Sequence, residues 1–303
     1  MESNGSKLKK LIKSGKIVLM PNVWDGFSAK VVEHSGFEAA LVSGAGLSES
    51  RLAKPDLGLM GLRDNLDGTR IIANSTNLLL IADGDTGYGN AMSVYYTVQE
   101  FEKTGVAGVM IEDQVWPKRC GHLAGKEVIP TEEMIKKIKA AVDARVDPDF
   151  IIKARTDAAA TSGVNEAIDR LNKYIKAGAD LVFADALLSL SDIEKVAASV
   201  NGPLAVNMGF GIRSRPTTPL ATPKMLQEMG VAVVDYGRIT SAAAIRGMMN
   251  ALEALKSTIN LDYTREYPEL LVSFDELQEI MAYPEWMERD GEYKLMAMNL
   301  FLF

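Results

Sequence analysis

Cysteine and histidine are scarce in this chain of 303 residues, which has one cysteine, Cys120, and two histidines. A disulfide framework, a CxxC redox motif and a zinc site built from several cysteines are therefore excluded. No apolar run approaches the roughly 18 residues that a membrane-spanning helix needs. Basic residues are in deficit, because 33 Lys and Arg face 40 Asp and Glu and the net charge is −7, whereas nucleic-acid binders usually show a basic surface. We expect a cytoplasmic globular protein with neither a nucleic-acid nor a membrane partner.

Short apolar runs alternate with longer amphipathic stretches after Lys16. Most runs are too short and too uniformly apolar for strands with one face in water, and they are typical of a parallel sheet covered on both sides. The predicted strands are Ile17–Met20, Ala39–Val42, Leu78–Ala82, Val109–Glu112, Phe150–Ala154, Leu181–Ala184, Leu204–Asn207 and Val231–Asp235. Four of the amphipathic stretches between these runs end in a glycine. Helices commonly end at a residue in the left-handed conformation, which glycine adopts most easily, so these stretches are predicted to be helices. These glycines are Gly36, Gly105, Gly178 and Gly230.

Eight strand–helix units in series predict a (β/α)8 barrel of the TIM type. A doubly wound open sheet is the alternative, but it would need a phosphate-binding glycine motif at the start of its first helix, and residues 21–26 do not form one. We assign the barrel, as the catalytic domain, to residues 1–258. Residues 259–303 form a C-terminal helical extension ending in a mostly apolar stretch, 295–303. That stretch needs cover from its own barrel or, as we favour, from a neighbouring subunit.

Polar residues follow most of the predicted strands, at the edge where a barrel carries its functional groups. Asp83 and Asp85 follow strand 3 and Glu112 ends strand 4, so carboxylates meet at neighbouring strand ends. Hard carboxylate oxygens with no histidine nearby favour Mg²⁺, or Mn²⁺, over Zn²⁺. The alternative is that these acids are loop caps and ion-pair partners of Lys153 and Arg155. Further residues at strand ends are Trp24, Ser43–Gly46, Lys153–Asp157, Asp185 and Asn207.

A second cluster, Lys118-Arg119-Cys120-Gly121-His122, lies in the loop after strand 4. Neighbouring cations stabilise a thiolate, so the thiol can exchange a proton near neutral pH as an acid, a base or a nucleophile. The alternative is a small buried residue in an ordinary basic loop. We favour the chemical interpretation because Cys120 is followed by glycine and lies in a loop.

This cluster, downstream of Asp83-x-Asp85 and Glu112-Asp113-Gln114, resembles the isocitrate lyase/phosphoenolpyruvate mutase superfamily. The resemblance extends from about Val18 to Ser257, and the KRCGH block is typical of the lyase branch. It implies a (β/α)8 barrel whose last helix is exchanged between subunits. It also implies dimers that pair into a homotetramer.

The resemblance also implies a role for individual residues. Asp83, Asp85 and Glu112 match the Mg²⁺ ligands, some of which act through water. Cys120 matches the acid that protonates the departing carbanion. The positions that hold the carboxylate and carbonyl of the 2-oxo acid product match Ser43, Gly44, Ala45 and Arg155. Other matched site positions are the active-site aspartate Asp56 and Lys118, His122, Asn207, Thr218 and Pro219, of which Asp56, Lys118 and His122 are assigned with Cys120 and Arg155 to catalysis. Gly121 and Asp185 are assigned to substrate binding. Trp24 follows from its place at the end of strand 1, where it lines the mouth of the barrel or packs in the core or at the rim.

The activity implied is a Mg²⁺-dependent retro-aldol (Claisen-type) cleavage of a substituted malate-type 2-hydroxy dicarboxylate to pyruvate and a short carboxylate. We expect 2,3-dimethylmalate, which would give propionate and pyruvate, with 2-methylisocitrate as the alternative. Decarboxylation or hydrolysis of oxaloacetate, phosphonopyruvate mutase or hydrolase activity, and a barrel without catalysis are further alternatives. The intact Cys120-Gly121-His122 counts against the phosphonopyruvate reactions, whose enzymes lack the Cys/His pair.

Some positions depart from the family pattern. Several lyases carry Tyr at the position of Leu41, and the family commonly has Glu where this chain has Asp185. Enzymes that hydrolyse oxaloacetate tend to have Ser at the position of Thr218. The predicted mouth has no evident basic site for a third carboxylate other than Arg213 and Arg215, which favours the smaller substrate.

Overall fold

The computed structural model describes residues 2–121, 125–210, 217–263 and 265–300. Within these ranges eight parallel strands close into a barrel in chain order, and β8 pairs with β1. The strands are β1 (Val18–Val23), β2 (Ala39–Val42), β3 (Leu79–Asp83), β4 (Gly108–Glu112), β5 (Ile151–Thr156), β6 (Leu181–Ala184), β7 (Leu204–Asn207) and β8 (Val233–Tyr236). The predicted (β/α)8 barrel is therefore confirmed.

Helices alternate with the strands along the chain and continue beyond the last strand, and a π-helical turn, Ser48–Leu52, lies after β2. The helices are α1 (Asn4–Ile12), α2 (Gly26–His34), α3 (Gly44–Leu47), α4 (Leu62–Ser75), α5 (Ala91–Glu102), α6 (Thr131–Ala144), α7 (Ala158–Ser162), α8 (Val164–Lys176), α9 (Leu190–Ser199), α10 (Pro223–Glu228), α11 (Ile239–Ser257), α12 (Phe274–Ile280) and α13 (Tyr283–Leu300). The four glycines predicted to end helices all have positive φ, between 83° and 110°, so that prediction is confirmed.

The predicted strand bounds hold best where the apolar run is uninterrupted, in β2, β6 and β7. The first strand continues three residues beyond its predicted end at Met20. In this extension the buried Asn22 accepts hydrogen bonds from the Thr240 hydroxyl at its backbone carbonyl and at Oδ1, both at 2.6 Å, while its Nδ2 has no hydrogen-bond partner among the described residues. The oxygens of this residue thus have a partner 218 residues away, which the local sequence pattern does not reveal.

Helix α1 closes the N-terminal mouth of the barrel. Its Leu8 and Ile12 belong to the same apolar cluster as the inward-facing Met20 and Phe183. Gly5 permits this close seat, because a Cβ at that position would lie 2.4 Å from the Asp149 carbonyl oxygen. Burial of a leucine such as Leu8 contributes roughly 1.5–3 kcal/mol. Because apolar side chains fill the N-terminal end of the barrel, polar groups can collect only at its C-terminal end.

The chain divides into two compact units, Met1–Ser241 and Ala242–Phe303. The first contains the whole barrel. The second contains most of α11 together with α12 and α13, and it exposes large apolar side chains, among them Met248, Leu252 and Leu255. None of the helices in the described ranges is both long and apolar enough for a membrane span. The predicted boundary after residue 258 and the exchange of a helix between subunits stay predictions.

Candidate active site

The polar residues predicted at the strand ends meet around one pocket at the C-terminal face of the barrel. Most predicted site residues contribute to its wall. The lining residues are Leu41, Ser43, Ala45, Asp56, Asp83, Met110, Lys118, Arg119, Cys120, Arg155, Phe183, Asp185, Asn207, Asp235, Gly237 and Arg238. Gly44 lies directly beside the pocket, because a Cβ there would be 2.9 Å from Asp83 Oδ2.

Lys118 is buried between Asp56, which also lines the pocket, and Asp85. Its Nζ lies 2.6 Å from Asp56 Oδ1 and 2.7 Å from Asp85 Oδ1. Burial disfavours the charged amine, but Asp85 and Asp56 outweigh it and hold the pKa of Lys118 well above its usual value. Burial raises the pKa of Asp85 to about 6, with Asp83 and Asp56 adding to the shift and Lys118 opposing it. The two aspartates therefore share one cation, and this side of the pocket has an excess of negative charge.

Arg155, at the end of β5, is fixed by three carboxylates. Asp157 binds it bidentately, at 2.8 Å to Nε and 3.0 Å to Nη2. Glu112 Oε2 lies 3.2 Å from Nε, and Asp185 Oδ2 lies 2.6 Å from Nη2. These carboxylates overcome burial and keep the pKa of Arg155 well above its usual value. The guanidinium is consequently permanently charged and rigidly oriented at the pocket wall.

Lys126 joins this group to the loop that carries Cys120. Its Nζ donates to Asp157 Oδ1 at 2.6 Å and to the Gly121 carbonyl at 2.5 Å. Gly121 in turn lies against Arg155 and Asp185, since a Cβ would come within 1.8 Å of Asp185 Oδ2. Lys126 was not predicted as a site residue, because its role depends on a contact with Asp157, 31 residues away; Asp157 itself was predicted only as a polar residue at the end of strand 5.

Asp113 anchors the ends of β4 and β5 from behind the pocket. It is fully buried and accepts hydrogen bonds from Thr156 Oγ1 at 2.7 Å, Tyr174 OH at 2.7 Å and Arg170 Nη1 at 3.1 Å. Burial raises the pKa of Asp113, although the hydrogen bonds from Thr156 and Tyr174 oppose the shift. This network holds Glu112 and Arg155, which flank it in the two strands, in a fixed relation to each other.

Asp83, Asp85 and Glu112 supply the oxygen ligands that a hard divalent cation prefers. Glu112 Oε1 is buried and has no hydrogen-bond partner among the residues that the structure describes. Burial raises the pKa of Glu112 well above its usual value; Arg155 opposes this shift, and Asp157 adds to it. Within the described part of the chain no three histidine, cysteine or acidic groups are close enough together to hold an ion as they stand, and Lys118 lies against Asp85 instead. The donor set and the orphaned oxygen fit Mg²⁺ chemically, while the side chains are not drawn together around one point.

Cys120 lies in the loop after β4 and lines the pocket. Its backbone N–H donates to the Asp56 backbone carbonyl at 3.3 Å, and the same pocket is lined by Arg238. Both Glu49 oxygens accept from Arg238 Nη1, at 2.5 and 2.6 Å. Burial opposes the charge of Arg238, but Glu49 and Cys120 raise its pKa. Arg238 was not predicted, because it lies beyond the end of the last strand and has no motif around it.

Lys153 and Asp235 form a fully buried ion pair that crosses the barrel interior between β5 and β8. The Lys153 ammonium also lies 5.0 Å from the centre of the Phe183 ring. Burial raises the pKa of Asp235 and Lys153 opposes the shift. Lys153 is thus part of an ion pair, as expected if the strand-end residues were structural. Its partner Asp235, however, lies on β8 and is not one of the three proposed metal ligands.

The remaining predicted residues lie apart from the pocket lining. Trp24 is half-buried and packs against Gly46, where a Cβ would be 2.9 Å from the Trp24 Cβ. Thr218 is buried and Pro219 half-buried, both after β7. His122, like Arg213 and Arg215, lies outside the described residues.

A parallel barrel that brings carboxylates, guanidinium groups and a thiol to one pocket is typical of an enzyme that performs acid–base chemistry on an anionic substrate. The family model described as phosphoenolpyruvate phosphomutase matches residues 8–256. The chain is 37% identical to the 2,3-dimethylmalate lyase of Eubacterium barkeri, over 96% of this chain and 98% of that protein. It is 40% identical to a 2-methylisocitrate lyase of Shewanella oneidensis, over 84% of this chain and 86% of that protein.

Solved structures agree with these relatives. An oxaloacetate acetylhydrolase bound to 3,3-difluorooxalacetate superposes with a TM-score of 0.88 at 32% identity, covering 96% of this chain and 97% of that one. A 2,3-dimethylmalate lyase gives 0.85 at 32% identity, covering 97% and 96%. A phosphonopyruvate hydrolase complex with oxalate and Mg²⁺ gives 0.80 at 28% identity, covering 96% and 99%. The chain belongs to the phosphoenolpyruvate mutase/isocitrate lyase superfamily, and it is an enzyme of the lyase type.

Proposed function

We propose that the enzyme cleaves the C2–C3 bond of a substituted malate-type 2-hydroxy dicarboxylate, with 2,3-dimethylmalate as the preferred substrate and pyruvate and propionate as the products. The observation that carries this proposal is the placement of the Cys120 thiol in the same pocket as Arg155 and Asp56. A cleavage that leaves a carbanion needs an acid beside it, and the pocket combines that acid with cations for an anionic substrate. The relative named 2,3-dimethylmalate lyase supports the choice of substrate.

Arg155 and the turn that contains Ser43, Gly44 and Ala45 hold the end of the substrate that becomes the 2-oxo acid. A divalent cation bound by Asp83, Asp85 and Glu112 would polarise the hydroxyl and carboxylate oxygens of that end and neutralise the acidic excess. Because Asp157 and Asp185 fix the Arg155 guanidinium, it binds the carboxylate without being reoriented.

The remaining residues move two protons. Asp56, held by Lys118, accepts the proton of the C2 hydroxyl, and the C2–O bond becomes a carbonyl as the C2–C3 bond breaks. The electron pair of that bond passes to C3 and the adjoining carboxylate. Cys120 then donates its thiol proton to C3, which converts the carbanion to propionate. The thiolate that remains is reprotonated from solvent.

Release of pyruvate from 2,3-dimethylmalate tests the proposal directly. We expect pyruvate with Mg²⁺ present and a loss of activity after chelation that added Mg²⁺ restores. 2-Methylisocitrate, oxaloacetate and phosphonopyruvate are the comparison substrates, assayed for pyruvate and, with oxaloacetate, also for oxalate. Cleavage of none of the malate-type substrates would overturn the proposal, and cleavage of oxaloacetate to oxalate alone would assign a hydrolase.

2-Methylisocitrate is the second candidate substrate, because a relative named for it is 40% identical. It carries a third carboxylate, which would require a further cation. Arg213 and Arg215 are the residues that sequence reasoning offered for it, and both lie outside the described residues. The ratio of kcat/KM for 2,3-dimethylmalate and 2-methylisocitrate decides between the two substrates.

A further inference from the structure

A second cavity of the barrel unit shares no lining residue with the catalytic pocket, and the proposed mechanism gives it no role. It lies between α4, α5, α6 and the loops after β3 and β4, and Tyr88, Trp116 and Lys137 are among the residues that line it. Its volume is about 730 Å³. Sites for small molecules typically measure roughly 300–1,000 Å³, so this second cavity has the size of a ligand site.

Three aromatic side chains form much of the wall of the second cavity, namely Tyr88, Tyr96 and Trp116. The rings of Tyr88 and Trp116 lie 6.2 Å apart between their centres and are inclined by 57°. Tyr96 and Trp116 are each about half exposed, at 56% and 45%, so the chain itself leaves much of their surface uncovered. Aromatic surface around a concave space favours an apolar ligand and above all a planar one.

Lys137 places a buried positive charge at the second cavity. Within the described residues its Nζ donates to one acceptor, the Thr86 carbonyl at 3.1 Å, and it forms no ion pair there. An ammonium group has three donors, so two remain for a ligand. Burial lowers the pKa of Lys137, and Glu133 and Asp113 oppose this shift without restoring the usual value. A buried cation with so little compensation is stabilised by an anion that binds beside it.

The charges of the cavity wall also limit the ligand to one carboxylate. Among the residues that line the second cavity in the described part of the chain, Lys137 is the one cation and Glu133 the one acid. Glu133 lies one turn before Lys137 on α6 and is exposed. Because Glu133 repels a second negative charge, a ligand with a single carboxylate fits this wall better than a dicarboxylate does.

Gln114 connects the second cavity to the loop that carries Cys120. It lines the cavity, and its Nε2 donates to the Arg119 carbonyl at 2.9 Å, while the Arg119 backbone N–H donates to Gln114 Oε1 at 3.0 Å. Thr86, whose carbonyl accepts from Lys137, directly follows the proposed metal ligand Asp85. A ligand that shifts Gln114 or Thr86 would therefore alter the affinity of the catalytic pocket for its own ligand.

We propose that the second cavity binds a small aromatic monocarboxylate, with its carboxylate on the Lys137 ammonium and its ring against Trp116 and Tyr88. We also propose that this binding is linked through Gln114 to ligand binding in the catalytic pocket. The site goes beyond the proposed lyase function and does not depend on it, because the binding involves no chemical step.

Titration calorimetry with three probes tests the site. The probes are phenylacetate, neutral phenylacetamide of nearly the same shape, and phenylmalonate, which adds a second carboxylate. The wild type is compared with Lys137→Met, which removes the ammonium and keeps an apolar side chain of similar length. The matched control is Lys136→Met, which removes an exposed lysine of the same helix. Trp116→Ala tests the aromatic wall at a half-exposed position.

We expect the wild type to bind phenylacetate more tightly than phenylacetamide by about 10- to 100-fold, as for one charge-assisted hydrogen bond to a carboxylate, and to bind phenylmalonate less tightly than phenylacetate. Lys137→Met should remove the preference for phenylacetate over phenylacetamide, and Lys136→Met should keep it. Trp116→Ala should weaken the binding of both by about 10-fold.

The proposal is overturned if phenylacetate does not bind at millimolar concentration, if it binds no better than phenylacetamide, or if Lys137→Met keeps the preference. Tighter binding of phenylmalonate would overturn the limit to one carboxylate. If Lys137→Met fails to fold, the comparison of the probes on the wild type and on Trp116→Ala decides the same question.

Titration of phenylacetate at increasing oxalate, with Mg²⁺ present, separates the two sites. Oxalate is the ligand of the catalytic pocket, so binding in the second cavity requires the Kd of phenylacetate to reach a plateau as oxalate is raised. A Kd that rises without limit would place phenylacetate in the catalytic pocket and overturn the site. The plateau should differ from the Kd without oxalate, and phenylacetate should change the Kd of oxalate by the same factor.

Equal Kd values with and without bound oxalate would overturn the link through Gln114. If oxalate itself does not bind, the assignment of the catalytic pocket fails and the link fails with it, while the comparison of Lys137→Met with Lys136→Met still decides the second cavity. Failure of the proposed function and failure of this site are thereby distinguished.

Discussion

Cys120 depends on its surroundings for its proposed task as an acid. Its backbone N–H donates to the Asp56 backbone carbonyl at 3.3 Å, and Cys120 lines the same pocket as the proposed base Asp56 and the cation Arg238. A cation beside the sulfur stabilises the thiolate that remains after protonation of the carbanion. The thiol can therefore donate its proton, because the pocket stabilises the thiolate that this leaves.

Replacement of Cys120 by serine should abolish most turnover and leave binding intact. Serine has nearly the same shape, but its hydroxyl is a far weaker acid, so we expect kcat to fall by about 10²- to 10⁴-fold, as for loss of a general acid. The measurement is pyruvate formation from the best substrate, with the dissociation constant of oxalate as the control for an intact site. Near-normal kcat in Cys120→Ser would remove the residue from its assigned role.

Gly121 lies where the loop passes close to Arg155 and Asp185. Because a Cβ there would lie 1.8 Å from Asp185 Oδ2 and 2.5 Å from Arg155 Nη2, we expect Gly121→Ala to displace the Arg155 guanidinium. A displacement of about 1 Å lowers activity by roughly 10²-fold. Gly247→Ala is the matched control, since its Cβ would meet nothing within 4 Å. Equal activity of the two variants would contradict this account.

At the scale of elements, the site depends on α8 as well as on the strands that carry its side chains. Tyr174 and Arg170 extend from α8 to Asp113, which lies directly after β4 and also binds Thr156 at the end of β5. The helix therefore fixes the ends of two strands through one buried carboxylate. A shift of α8 would be transmitted to Glu112 and Arg155, the neighbours of these residues in the strands.

Tyr174→Phe should destabilise the protein, because it removes a hydrogen bond of 2.7 Å to a buried carboxylate. Such bonds contribute roughly 1–3 kcal/mol, so the free energy of unfolding from urea titration should fall by that amount. Tyr96→Phe is the control, because Tyr96 lies in an exposed position on α5. An unchanged midpoint in Tyr174→Phe would show that Asp113 does not need the hydroxyl.

Elements were more predictable than the contacts between them. The uniformly apolar runs predicted the strands, because a parallel sheet covered on both sides leaves no polar alternation. The polar residues at the strand ends predicted most of the pocket lining, because the carboxyl ends of parallel strands lie at the same face of the barrel. Arg238 and the partners of Lys153 and Asn22 were not predictable, because each depends on residues brought together by closure of the barrel between β8 and the earlier strands.

At the scale of the whole molecule, the second unit has too little apolar cover for an isolated chain. Within Ala242–Phe303, Met248, Leu252 and Leu255 of α11 are each about 60% exposed, at 59%, 60% and 62%. Exposed apolar patches of this kind mark surfaces that bind another protein. We propose that they are covered in a homotetramer, as the family resemblance implies.

Light scattering after gel filtration should therefore give the mass of four chains of 32.9 kDa each. Leu252→Glu should reduce that mass, because a charge buried in an apolar contact costs several kcal/mol, and the variant should remain folded by circular dichroism since the side chain is exposed in the single chain. Met92→Glu, at an exposed methionine of α5, is the control for a charge placed elsewhere on the surface. A wild-type mass of one chain at micromolar concentration would contradict the tetramer, and an unchanged mass in Leu252→Glu would place the contact on another surface.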